Sequence, residues 1–233
     1  MGKAGLIKKT VVLVLILAVP GFLYYLLTAE GKNRYKPLSI FGPKSLAKTT
    51  HKVNGKDIPD TIYHTLPDFK LIDQDGKTVS LKTFDSKIFV VDFFYTHCQG
   101  ACKVANGYIS LLDSNYAKNK MIRFVSITVD PEHDSTAVLK KYFNTFKPVP
   151  AKWMFLTGDT STIYPLARNG FLVNALKESN GDFIYSDKIM MVDTHKHIRG
   201  YYLGTSPDDM TRLDNEIRVQ ISEELRNSTK ALY

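Results

Sequence analysis

The chain has little cysteine. Its two residues, Cys98 and Cys102, stand four apart among 233, and a bridge across so short a gap constrains the unfolded chain little, which argues against a mere staple. The sequence also lacks a low-complexity tract, a long block of like charge and any fixed repeat of about 20 to 50 residues. Those absences exclude a disordered chain and a repeat array. The formal net charge of +8 is spread along the chain rather than gathered on one helix or stripe. Nucleic acid is therefore not the expected partner, and the charge is assigned to solubility and a membrane surface. What is present is ordinary for a globular protein, with 44% hydrophobic and 23% charged residues.

The length suits one core plus an appendage. Thr10 to Leu27 carries no charge and follows Lys3, Lys8 and Lys9, which predicts an uncleaved single-pass anchor over residues 1–29. Beyond it, Lys32, Arg34, Lys36, Lys44 and Lys48 blunt an orientation argument from charge. Long domains translocate largely regardless of charge, so the rest is expected on the extracytoplasmic (periplasmic) side of the inner or plasma membrane. Residues 30–60, with Pro37, Gly42, Pro43, Gly55 and Pro59, read as a tether, and 61–233 as the folded domain.

Within that domain, an Asp75-Gly76 turn between Leu66–Asp73 and Thr78–Leu81 predicts a hairpin. Ile88 to Tyr95 is nearly all apolar, the pattern of a central strand buried on both faces. A helix follows over Val104–Tyr116, a second strand over Ile122–Val129, and a helix capped by Asp134 or Ser135. Trp153–Leu156 is a third strand and Thr160–Arg168 a short helix. Lys188–Val192 and Ile198–Leu203 make a second hairpin, and Pro207–Leu225 closes the chain as a helix. Right-handed crossovers turn this order into an α/β fold, a mixed sheet flanked by helices. Its topology is similar to thioredoxin, with an added N-terminal β-hairpin and a single N-terminal transmembrane helix.

A helix beginning near Gln99 would put Cys98 at its N-terminus and Cys102 one turn in, where exposed amides and the helix dipole favour thiolate. Two such sulfurs, brought together and reachable by solvent, can cycle through a disulfide or hold a soft ion such as Cu(I). A peroxidase would need Pro and Thr upstream, where Tyr95-Thr96-His97 stands. Asn169 to Ser206 also lacks the proline that thioredoxins use to bind substrate.

Residues from about Pro67 to Leu225 resemble the Sco/SenC family. The resemblance rests on Pro67-Asp68-Phe69, on Asp73-Gln74-Asp75-Gly76-Lys77-Thr78-Val79, on Phe93-Phe94-Tyr95-Thr96 leading into Cys98-x-x-x-Cys102, and on Ser126 to Asp134 with its Asp130-Pro131-Glu132 turn. It implies an anchored protein that delivers copper to the binuclear copper centre of cytochrome c oxidase, or reduces that centre's cysteines. Implied partners are the copper-bearing oxidase subunit or other respiratory assembly factors. The alternative is a thiol-disulfide oxidoreductase, or a redox-sensing assembly factor that no longer binds copper. Two positions depart from the family. Lys103 stands where Pro usually follows the second cysteine, and the third copper ligand, a His in the family, falls at or beside Tyr185. Phenol is a poor substitute for imidazole toward Cu(I).

Cys98 and Cys102 are thus the expected metal ligands or redox pair, with His97 as a possible activator or substitute ligand. His195 and His197 form a candidate i,i+2 pair, and His133 is assigned a surface or capping role. His51 and His64 have nothing converging on them. Met190 and Met191 alternate along a strand, so at least one belongs to the core. Asp130 either forms its turn or serves the dithiol, and Asp92 is hydrogen-bonded or tunes the cysteines.

Overall fold

In a computed structural model the described residues are 3–29, 37–53, 55–98, 100–177 and 183–230; the side chains of 3–7, 10, 27–29, 184, 229 and 230 lie outside the description. The chain divides into two compact units, Met1–Lys36 and Pro37–Tyr233. The first contains helix α1, Lys3–Ala29, with Pro20 inside it. Among the described residues no helix is long and apolar enough to cross a membrane. The ends of the uncharged run, Thr10 and Leu27, fall outside the described side chains.

In the second unit, β1 (Lys44–Val53) pairs antiparallel with β2 (Lys56–Tyr63) as a separate two-stranded sheet. Half of the segment expected to be an irregular tether is therefore paired strand. The sequence signal was Asn54-Gly55 between runs containing Thr, Val and Ile, a hairpin dipeptide. Gly55 takes φ +79°, open to a residue without Cβ. Asn54 lies outside the described residues.

The main sheet follows. Its strands are β3 (Lys70–Asp73), β4 (Thr78–Ser80), β5 (Ile88–Phe94), β6 (Ile122–Thr128), β7 (Trp153–Thr157), β10 (Lys188–Val192) and β11 (Ile198–Leu203), in spatial order β11-β10-β5-β6-β7-β3-β4. β5, β6 and β7 run parallel; β10 and β11 continue antiparallel at one side, β3 and β4 at the other. Helix α2 (Ala101–Asn115) crosses from β5 to β6, and α3 (Thr136–Thr145) from β6 to β7. α4 (Thr160–Pro165) runs into a wider helical turn at Leu166–Gly170, and a small sheet of β8 (Ala175–Lys177) and β9 (Phe183–Tyr185) precedes β10. Helix α5, Pro207–Lys230, closes the chain.

β5 shows why an unbroken apolar run was needed. Phe89, Val91 and Phe93 face one core layer with Phe84, Val125, Ile127 and Phe171. Ile88, Val90 and Phe94 face the other with Ile109, Phe124, Trp153 and Leu213. Met190 and Met191 are both fully buried, one in each layer. This arrangement leaves the C-terminal ends of β5 and β6 side by side, the place where open α/β sheets gather functional loops.

Candidate functional site

The loop after β5 carries the cysteines. Tyr95-Thr96-His97 turns the chain, with the Cys98 amide donating to the Tyr95 carbonyl at 3.2 Å. α2 starts at Ala101 with Gly100 as its N-cap, so Cys98 precedes the helix and Cys102 lies in its first turn; Gln99 is outside the described residues. The two cysteines are joined as a disulfide, with Cα atoms 6.0 Å apart.

The pair was expected to be open to solvent, and it is not. Cys98 is 7% and Cys102 3% exposed, and both belong to the core layer beneath α2. The cover is Tyr185, at the end of β9. Its hydroxyl oxygen lies 2.9 Å from Cys102 Sγ and 3.4 Å from Cys98 Sγ. Sulfurs of a disulfide carry no hydrogen, so the phenol is the donor. Burial pushes the Tyr185 phenol above its ordinary value, helped by Tyr95, Asp187 and Asp92. It remains neutral and keeps its proton near neutral pH. The position identified from the sequence as the missing imidazole is thus a hydroxyl seated on both sulfurs.

Beneath the loop, Asp134 is fully buried and was read only as a helix cap. The N-cap of α3 is instead Ser135, whose hydroxyl accepts from the Val138 amide. The Asp134 carboxylate accepts from the Thr96 amide at 3.0 Å, the Thr96 hydroxyl at 2.5 Å, the Thr128 hydroxyl at 2.5 Å and meets His133 Nδ1 at 2.9 Å. It ties the cysteine loop to the end of β6. Sequence reasoning missed this role, because Thr96 and Thr128 stand 38 and 6 residues ahead of Asp134 and only the fold brings all three together. Tyr95 was also missed. Its ring meets Tyr185 edge-on at 5.5 Å and His97 at 4.6 Å, linking the sulfur cover to the imidazole.

His97 is half-exposed, its Nδ1 3.9 Å from Asp130 Oδ2, and its ring stands 4.9 Å from that of His133. Asp130 forms its turn, its carbonyl accepting from the His133 and Asp134 amides, while its carboxylate faces His97 and Lys177. Asp92 is 2% exposed on the α2 side of β5; Oδ1 accepts from Ser126 at 2.5 Å and Oδ2 is buried without a partner. Burial raises its pKa to about 7, against the lowering effect of Ser126. His195 and His197 sit apart, their rings 6.1 Å from each other, with His197 Nδ1 3.4 Å from Asp193. His51 pairs with Asp60 across the β1–β2 hairpin, and His64 Nε2 meets the Gly170 carbonyl.

A family model described as SCO1/SenC matches residues 60–218, which takes in every strand from β3 onward and both cysteines. The chain belongs to the SCO1/SenC family. Among curated relatives, the SCO1 protein homolog of Bacillus subtilis is 32% identical over 105 residues, covering 45% of this chain and 54% of that protein. This chain therefore matches about half the length of that relative. Two solved Sco structures share the thioredoxin-like fold. BsSco, a member of the Sco family of cytochrome c oxidase assembly proteins with a disulfide switch, gives a TM-score of 0.59 at 25% identity, covering 67% of this chain and 93% of that one. ScoI of Bradyrhizobium japonicum with copper bound gives 0.54 at 25% identity, covering 65% and 98%.

Proposed function

We propose that this Sco protein is an assembly factor that reduces a disulfide on the copper-bearing subunit of cytochrome c oxidase. Cys98 and Cys102 are the redox pair. The observation carrying this reading is the placement of both sulfurs, bonded to each other, under one neutral hydroxyl. In the reduced protein the Cys98 thiolate attacks a sulfur of the partner's disulfide, forming a mixed disulfide and releasing one partner thiolate. The Cys102 thiolate then attacks Cys98 Sγ, forming the intramolecular bridge and releasing the second partner thiolate. Two electrons pass to the partner, and a thiol reductant of the same compartment restores the pair. Cys98 is assigned the attacking role because it lies ahead of the helix and is the more exposed of the two. The anchor read from the sequence would hold this chemistry at the membrane, and the N-terminal lysines and apolar run support it.

A second reading has Cu(I) as cargo on the same sulfurs, favoured by their convergence and by the copper-bound ScoI neighbour. The donor set fits a two-sulfur site. It does not fit a trigonal site completed by imidazole, because the third position offers a protonated phenol, a hard oxygen. Competition of the reduced protein against a Cu(I) chelator, with the dithiol potential measured against glutathione, separates the readings. Exchange predicts a reversible two-electron couple and weak Cu(I) retention, with Tyr185→His gaining at least tenfold in Cu(I) affinity. Tight one-to-one Cu(I) binding by wild type, lost in Cys98→Ser, would replace the first reading with the second.

A further inference from the structure

A second cluster stands beside the sulfurs without including them. Among the described residues, one group of three His, Cys, Asp or Glu side chains has its donor atoms within 4.8 Å of one another, and it is His97, His133 and Asp134. We propose that these three residues form a metal site for a divalent ion of the Cu(II) class, distinct from the dithiol.

The donor chemistry selects the ion. Two imidazoles and a carboxylate suit borderline divalent metals, of which Cu(II) binds such sets most tightly, whereas Cu(I) prefers sulfur. The geometry agrees. His133 Nδ1 and Asp134 Oδ1 are 2.9 Å apart, which is the edge spanned by two bonds of about 2.0–2.1 Å meeting near a right angle, as in a tetragonal site. An ion there takes the place of the proton between the two atoms. The His97 ring stands beside that of His133, centroids 4.9 Å apart and inclined at 73°, with its donor atom within 4.8 Å of the other two. Asp130, 3.9 Å from His97 Nδ1, adds negative charge beside the cluster.

The surroundings are those of a held site. The Asp134 carboxylate is fixed by the half-buried Thr96 and the buried Thr128, an outer shell that orients a ligand. Both imidazoles are about half-exposed, with side chains 49% and 55% accessible, so an ion reaches them from solvent. The competing account is a hydrogen bond between His133 and Asp134 with His97 stacked alongside, and no ion.

The full chain, oxidised so that Cys98 and Cys102 are bridged, is titrated with Cu(II) and followed by electron paramagnetic resonance. Bridged sulfurs offer no thiolate, so the result stands apart from whether the pair performs exchange. The expected result is one Cu(II) per chain with couplings from two nitrogens. His97→Gln and His133→Gln should each lower affinity at least tenfold and leave one coupled nitrogen, while His195→Gln changes neither. No Cu(II) bound by wild type, or the same affinity and nitrogen count in wild type and in both variants, overturns the site. If His133→Gln melts early, His97→Gln decides alone, and unchanged binding in it overturns the proposal.

Discussion

Asp92 is a carboxyl group placed where water cannot reach it, with one oxygen bonded to Ser126 and the other unpartnered. Its raised pKa of about 7 means that the folded chain holds the proton over a range in which the unfolded chain has released it. Stability from this residue is therefore present below about pH 4, declines as pH rises toward 7, and stays low above that. The full shift corresponds to roughly 4 kcal/mol as an upper bound. Asp92→Asn keeps an oxygen for Ser126 and removes the charge. Urea unfolding at pH 4.5 and 7.5 should show the variant gaining on wild type by about 1–3 kcal/mol between those two values. An equal difference at both would mean that the group is already ionised in the fold. The same residue illustrates what a sequence withholds. Its burial was evident from the run around it, but the choice between a bonded structural group and a modulator needed the position of Ser126, 34 residues away.

The hairpin of β10 and β11 and the helix α2 meet at Gly204, just beyond β11. A Cβ there would lie 2.8 Å from that of Ala105 on α2 and 2.9 Å from the Asp187 carbonyl, which already accepts the Gly204 amide. Neither obstacle is a flexible side-chain end. Gly204→Ala should cost about 1–3 kcal/mol, seen as a lower melting temperature. It should also displace the segment carrying Tyr185, read as faster reduction of the bridge by dithiothreitol; an unchanged rate would show that this contact does not position the cover. At this scale much was legible. β10 and β11 have the residues expected, because each is a short run rich in apolar or aromatic residues, and β5 lies centrally between β10 and β6. The β1–β2 and β8–β9 pairs were not foreseen. The first is a ribbon with mostly exposed side chains, without the buried face whose alternation betrays a strand; the second has strands of only three residues, too short for alternation to show, although Ala175, Phe183 and Tyr185 pack on the core. α4 ends earlier than the helix expected there, at Pro165, and the wider turn takes over.

At the scale of the whole chain, the division at residue 36 predicts that the part from Pro37 onward folds by itself. A chain starting at Pro37 should melt at the temperature of the full protein and stay in the supernatant after alkaline extraction of membranes, while the full chain pellets. A full chain released by that extraction would remove the anchor from the proposal. The site was legible as a pair of sulfurs and a departure at position 185, because both are local in sequence. The seat of the hydroxyl on the sulfurs was not, since it depends on how β9 is carried against α2. That placement bears on descent. Tyr185 rides on a ribbon outside the seven-stranded sheet, and tyrosine and histidine codons differ by one base. Under the function proposed above, one base change at this codon would trade electron transfer for metal carriage, or back again, and leave the load-carrying architecture untouched.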